Sequence, residues 1–130
     1  MKNSTYIIVN DKGTKHLLPL ENILHVASAR IYSIFYMRNS TQQYVSSRNL
    51  GSVYQQLKDD NFLRVHKSHI INLHEVKAYK SARGGKIILS DDTIINVSQR
   101  KKTQLLKQLH QLNKKVKTQN GTRQHKINLF

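Results

Sequence analysis

Short apolar runs separated by turn-forming clusters follow one another through most of this chain, and that rhythm constrains its fold more than any other feature. Tyr6-Ile7-Ile8-Val9 leads into Asn10-Asp11-Lys12-Gly13, a good turn sequence, and residues 15–18 offer the returning strand. Residues 23–27 form a second apolar run. Ile34-Phe35-Tyr36-Met37 precedes the turn residues Arg38-Asn39-Ser40-Thr41, with residues 42–46 as the partner strand. Later strands are expected at 63–65, 69–73, 76–79, 86–89 and 94–97. Arg83-Gly84-Gly85 and Ser90-Asp91-Asp92 turn the chain between the last three. Turns this frequent point to an all-β sandwich or barrel rather than to βαβ units.

Two stretches break the pattern with helical spacing. Residues 49–57 place Leu50, Val53, Tyr54 and Leu57 on one face, and residues 104–112 do the same with Leu105, Leu106, Leu109 and Leu112. No internal repeat is visible. With 130 residues the chain fits one domain, expected over residues 1–112, and the polar, basic stretch 113–130 reads as a flexible tail.

Charge narrows the function. Twenty-two Lys and Arg face seven Asp and Glu, for a net charge of +15. So large an excess repels itself in a compact state and calls for a polyanionic partner, whether nucleic acid, an anionic membrane or an acidic protein. Nine of the basic residues and none of the acids fall in residues 98–130. The absence of cysteine excludes disulfides and thiolate metal sites. The apolar run at residues 6–9 is too short for a signal peptide or a membrane span, so a soluble, cytoplasmic protein is expected.

The most informative stretch is Phe62-Leu63-Arg64-Val65-His66-Lys67-Ser68-His69-Ile70-Ile71-Asn72-Leu73. It resembles the central pattern of the LytTR family of bacterial DNA-binding domains, Phe-x-Arg-Val-His-Arg-Ser-x-Ile-Val-Asn-Leu. Ile23-Leu24-His25-Val26 is similar to that family's early strand. Gly84-Gly85-Lys86-Ile87 through Asp91-Asp92 is similar to its late hairpin, and Val97-Ser98-Gln99-Arg100-Lys101 to the approach to its last helix. The sequence departs from the pattern at Lys67 and Gln99, where arginine is usual, and at His69, where an aromatic is common. No phosphoacceptor receiver domain precedes the match in this sequence, so a stand-alone domain without that family's usual phosphorylation switch is expected.

The resemblance implies a mainly β fold, an elongated β-β-β sandwich of short, mostly antiparallel strands with two short helices. It also implies binding to paired direct repeats of double-stranded DNA, as a homodimer on DNA, with loops in successive major grooves. An inhibitory membrane or regulatory protein is a further implied partner. Three segments would face DNA: residues 30–33, 66–68 and 98–101.

The residues suit that task on physical grounds. Arg30, Lys67, Gln99 and Arg100 carry long side chains whose donors can reach base edges, Arg and Lys to guanine and Gln to adenine. Ser33, Ser68, Ser98 and His66 are shorter and suit phosphate oxygens, with Lys101 and Lys102 neutralising the backbone. Ser98 also precedes a helix, whose N-terminus favours an anion, although a serine there can simply be an N-cap. A basic turn can likewise be merely solvated. His69 reads as a packed strand residue, and Leu105, Leu106 and Leu109 as core.

Other functions fit less well. His66, His69 and His74 suggest a metal, yet alternation along a strand would send His66 and His69 to opposite faces, and carboxylates are scarce. No glycine elbow surrounds a serine for nucleophilic catalysis. Neither an enzyme, a cofactor nor a small-molecule substrate is expected. An RNA-binding β domain remains the alternative, with Tyr32, Phe35, Tyr36 and Tyr44 as stacking candidates, although Phe35 and Tyr36 must lie on opposite faces.

Overall fold

In the computed structural model residues 5–115 are described. Contacts divide the chain into two compact units, Met1–Asn72 and Leu73–Phe130. The first unit opens with a hairpin of β1 (Tyr6–Asp11) and β2 (Thr14–Pro19), in register from Tyr6 opposite Pro19 to Asp11 opposite Thr14. Its turn holds Lys12 and Gly13 at positive φ, the conformation that a two-residue hairpin of matching twist demands. Strand alternation then sends Ile7, Val9 and Leu18 inward.

A five-stranded antiparallel sheet follows, built from β3 (Ile23–Ala29), β4 (Tyr32–Met37), β5 (Gln43–Ser46), β6 (Phe62–His66) and β7 (His69–Asn72). The spatial order is β5-β4-β3-β7-β6, so the chain crosses from one edge to the other between β5 and β6. Helix α1 (Leu50–Leu57) makes the crossing. Asn49 starts it by accepting a hydrogen bond at Oδ1 from the Ser52 amide, 2.8 Å away, which satisfies one of the free N–H groups of the first turn. Leu50, Val53 and Leu57 form its buried stripe and join Val26, Phe35, Phe62 and Ile70 in the core. Truncating either phenylalanine would cost about 3–5 kcal/mol.

Asn72, which closes the sequence pattern singled out above, is buried. Its Nδ2 donates to the Ile23 carbonyl at 2.9 Å, tying the end of β7 to the start of β3. A buried amide without such a partner would be a liability.

The second unit contains β8 (Val76–Lys80), β9 (Lys86–Leu89) and β10 (Ile94–Asn96) in the order β10-β9-β8, then helix α2 (Lys102–Lys115). Gly85 is at φ +95, and a Cβ there would meet the Tyr79 hydroxyl at 2.9 Å, so both backbone and space call for glycine. Leu105, Leu109 and Leu112 are buried on α2 at i, i+4 and i+7.

Every strand expected from the sequence is present. Helix α2 is longer than its leucine pattern suggested, starting at Lys102 and running to Lys115, into the stretch read as tail. The rest of that tail, residues 116–130, lies outside the described residues.

Candidate nucleic-acid interface

Two hairpin tips lie side by side at one end of the five-stranded sheet. The first joins β3 to β4 through Arg30 and Ile31, with Ala29 opposite Tyr32. The second joins β6 to β7 through Lys67 and Ser68, with His66 opposite His69. Strands β3 and β7 are antiparallel neighbours, paired at Val26–Ile70 and Ala27–His69. The pairing carries on into the tips, where the Ser28 amide donates to the Ser68 carbonyl at 3.0 Å. Residues nearly forty positions apart in sequence are therefore joined by the sheet itself.

The first tip is defined by its backbone. Arg30 sits at φ +61, the left-handed region that the first central residue of a type II′ hairpin occupies and that normally selects glycine. Both central residues are exposed, Ile31 to 67%. The second tip is instead held by side chains. Arg64 donates from Nη2 to the Lys67 carbonyl at 2.6 Å, and His66 accepts from the Ser68 amide at Nδ1, 3.1 Å away. That bond requires His66 Nδ1 to carry no proton. Its main-chain oxygen so engaged, Lys67 turns an exposed side chain to solvent, while His66 and Ser68 are half-buried.

Ser33 corrects an expectation. It is fully buried, and its hydroxyl donates to the Arg48 carbonyl at 2.8 Å. Opposite it in the sheet, Ser46 is buried too and accepts from the Arg48 amide at Oγ, 3.1 Å away. Ser33 therefore braces the exit from β5 and has no surface to offer a phosphate. The histidines supply a second correction. His66 and His69 lie on different strands and pair directly across the turn, so their rings share a face, with centroids 5.8 Å apart. The His25 ring lies 6.2 Å from His69 and stacks on Tyr36 at 4.5 Å. Burial, and secondarily the neighbouring His66, push the His69 pKa down from its ordinary value. Among the described residues no group of three or more His, Cys, Asp or Glu could hold a metal ion.

In the second unit the chain bends through a 3-10 turn, Gln99–Lys101, directly into α2. Ser98 has the extended backbone of an N-cap (φ −70, ψ 150) and accepts the Lys101 amide at its carbonyl, but its hydroxyl makes no capping bond. Gln99 and Arg100 are exposed, and Lys101 and Lys102 half-buried. No acid occupies the first turn. Cations at a helix N-terminus oppose the helix dipole, an arrangement that a bound anion would relieve.

Arg64 is the residue that pattern reading passed over as a site candidate. A charged side chain set between the buried Leu63 and Val65 was the available signal, because a basic group so placed needs a partner. The aromatics considered for RNA are mostly committed to structure. Phe35 is fully buried, Tyr36 is stacked on His25, and Tyr44 packs half-buried at 4.8 Å from His16. Of the four only Tyr32 is exposed.

The paired basic hairpin tips of the first unit, and separately the cationic helix start of the second, are surfaces suited to a polyanion such as nucleic acid. The family profile of the LytTr DNA-binding domain matches residues 13–110, and the chain belongs to that family of DNA-binding transcription regulators. Among solved structures the chain is similar to the LytTr DNA-binding domain of a protein described as a methyl-accepting/DNA response regulator from Bacillus cereus. The TM-score is 0.69 and the identity 16%, over 82% of this chain and 98% of that one. At that identity the likeness concerns the fold. No curated protein matches the chain. Among the described residues, no helix is long and apolar enough to cross a membrane.

Proposed function

We propose that this protein binds promoter DNA sequence-specifically by placing loops in successive major grooves, with the two paired hairpin tips sharing one of them. Two copies would lie side by side on direct repeats, in the cytoplasm and with no catalytic step. The observation that carries the reading is the β3–β7 pairing, through which Ser28 and Ser68 join the two basic tips into one surface. Lys67 and Arg100 are assigned to base edges, with Arg30 and Gln99 beside them. Ser68, Ser98, His66, Lys101 and Lys102 are assigned to phosphates. A site touching about six phosphates would give a log–log salt slope of roughly −5.

The test is selection of genomic fragments by the purified protein at physiological salt, with RNA as competitor. Enrichment of two short repeats about one helical turn apart is expected. Failure to enrich any motif, with RNA competing as well as DNA, would defeat the proposal. On the selected site, Lys101→Ala should weaken cognate and random DNA alike and reduce the salt slope by about one.

A further inference from the structure

Resting on that reading, we infer that Ile31 is a specificity-determining residue that packs against the C5-methyl group of a thymine, within roughly three base pairs of the position read by Lys67. The β3–β4 turn contradicts turn chemistry at both of its positions. Two-residue hairpin loops favour glycine, asparagine or aspartate, because these tolerate positive φ or bond locally. Here an arginine occupies the left-handed position, and next to it a β-branched isoleucine stands 67% exposed. Tyr32, the next residue, is 45% exposed. Nothing in the fold needs an apolar side chain at the tip, since alternation already gives the core Phe35 from this strand. Departures from local preference of this kind are expected where a surface serves a ligand.

In the major groove the one apolar feature of a base pair is the thymine methyl, and aliphatic side chains are its usual complement. Polar tips elsewhere on this surface cannot exploit it. Lys67 and Arg30 offer only charged donors, so Ile31 adds discrimination at a base pair that they would leave unread.

The sheet order also fixes the offset. From β4 through β3 and β7 to β6, the centres of the two tips are two strand spacings apart. At 4.7–4.9 Å per spacing that is about 10 Å, against a rise of about 3.4 Å per base pair. The thymine and the base that Lys67 reads thus fall within roughly three base pairs of each other.

The experiment uses the full chain and the duplex recovered by selection, with each thymine replaced singly by deoxyuridine, which removes one methyl group and nothing else. One replacement, within about three base pairs of the position whose preference Lys67→Ala relaxes, should weaken wild-type binding about fourfold, the worth of one buried methyl group. Ile31→Ser should bind the thymine and uracil duplexes equally, and Ile31→Val should still discriminate. Serine suits an exposed turn, and a thermal melt of each variant confirms the fold. If a motif is selected but no single replacement affects the wild type, or if Ile31→Ser discriminates as well as the wild type, the inference is overturned while the proposed function stands. If no motif is selected at all, both fall.

Discussion

The β3–β4 and β6–β7 turns are each two residues long and sit next to each other, yet they are fixed by different means. The first is marked by its backbone, with Arg30 held in the left-handed region at φ +61. The second has no residue at positive φ; Arg64 and His66 brace it from the flanking strand. The difference predicts where each is vulnerable. A backbone-fixed turn is sensitive to its own residues, whereas a side-chain-fixed turn can be dismantled by a residue outside the turn.

Arg64→Ala should show the largest effect. It removes a charge-assisted hydrogen bond to the Lys67 carbonyl, of a kind worth about 1.5–3 kcal/mol. Stability in urea should fall by about that amount, and affinity for the selected duplex should drop about tenfold as Lys67 loses its fixed position. Wild-type affinity in a folded Arg64→Ala protein would show that the brace is irrelevant to binding. Lys67→Ala sharpens the contrast from the other side. It should leave stability within about 0.5 kcal/mol, because the side chain is exposed. Cognate binding should weaken by about 1–3 kcal/mol with relaxed preference at one position. Equal losses on cognate and random DNA would demote Lys67 to a phosphate contact.

Arg30→Gly tests the first turn and should give effects of opposite sign. Relief of the left-handed arginine should stabilise the fold by about 1 kcal/mol. The same change removes a candidate base contact and should weaken binding. Parallel denaturation and duplex titration read both quantities. A destabilised Arg30→Gly protein would mean that the arginine side chain, and not the backbone, holds this turn.

Much of this arrangement could be read from the sequence, and the failures have identifiable causes. Strand positions were legible because apolar runs and turn residues alternate on a short period. Residues 67–68 were legible as a basic cluster between two apolar strands, and residues 30–33 through the family resemblance alone. Strand order was not, since nothing local specifies that β7 inserts beside β3, and that neighbourhood is what unites the tips. Ser33 failed for a related reason. A serine near a basic turn looks like a surface donor, and only its pairing opposite Ser46 and its bond to the Arg48 carbonyl place it inside. Alternation along a single strand would send His66 and His69 to opposite faces, but a two-residue turn between them puts both rings on one face.

That shared face yields the smallest predicted effect, and it belongs to the second turn only. His69 has a folded pKa below its ordinary value of 6.5, chiefly from burial and then from His66, with the His25 ring also nearby. Well above pH 6.5 the residue is neutral in both states and contributes no pH dependence. As pH falls through 6.5, the unfolded chain takes up a proton that the folded protein declines, so stability drops until the folded pKa is reached and then levels off. The slope from one such group is below about 1.4 kcal/mol per pH unit. His69→Phe keeps an aromatic ring and removes the titration. Subtracting its stability curve between pH 5 and 7.5 from the wild-type curve cancels the remaining histidines, apart from their coupling to His69. The difference should show stability lost towards acid in the wild type alone. Superimposable pH profiles would mean that the interior around the β6–β7 turn accommodates the charged imidazole. The second turn would then owe nothing to the charge of His69.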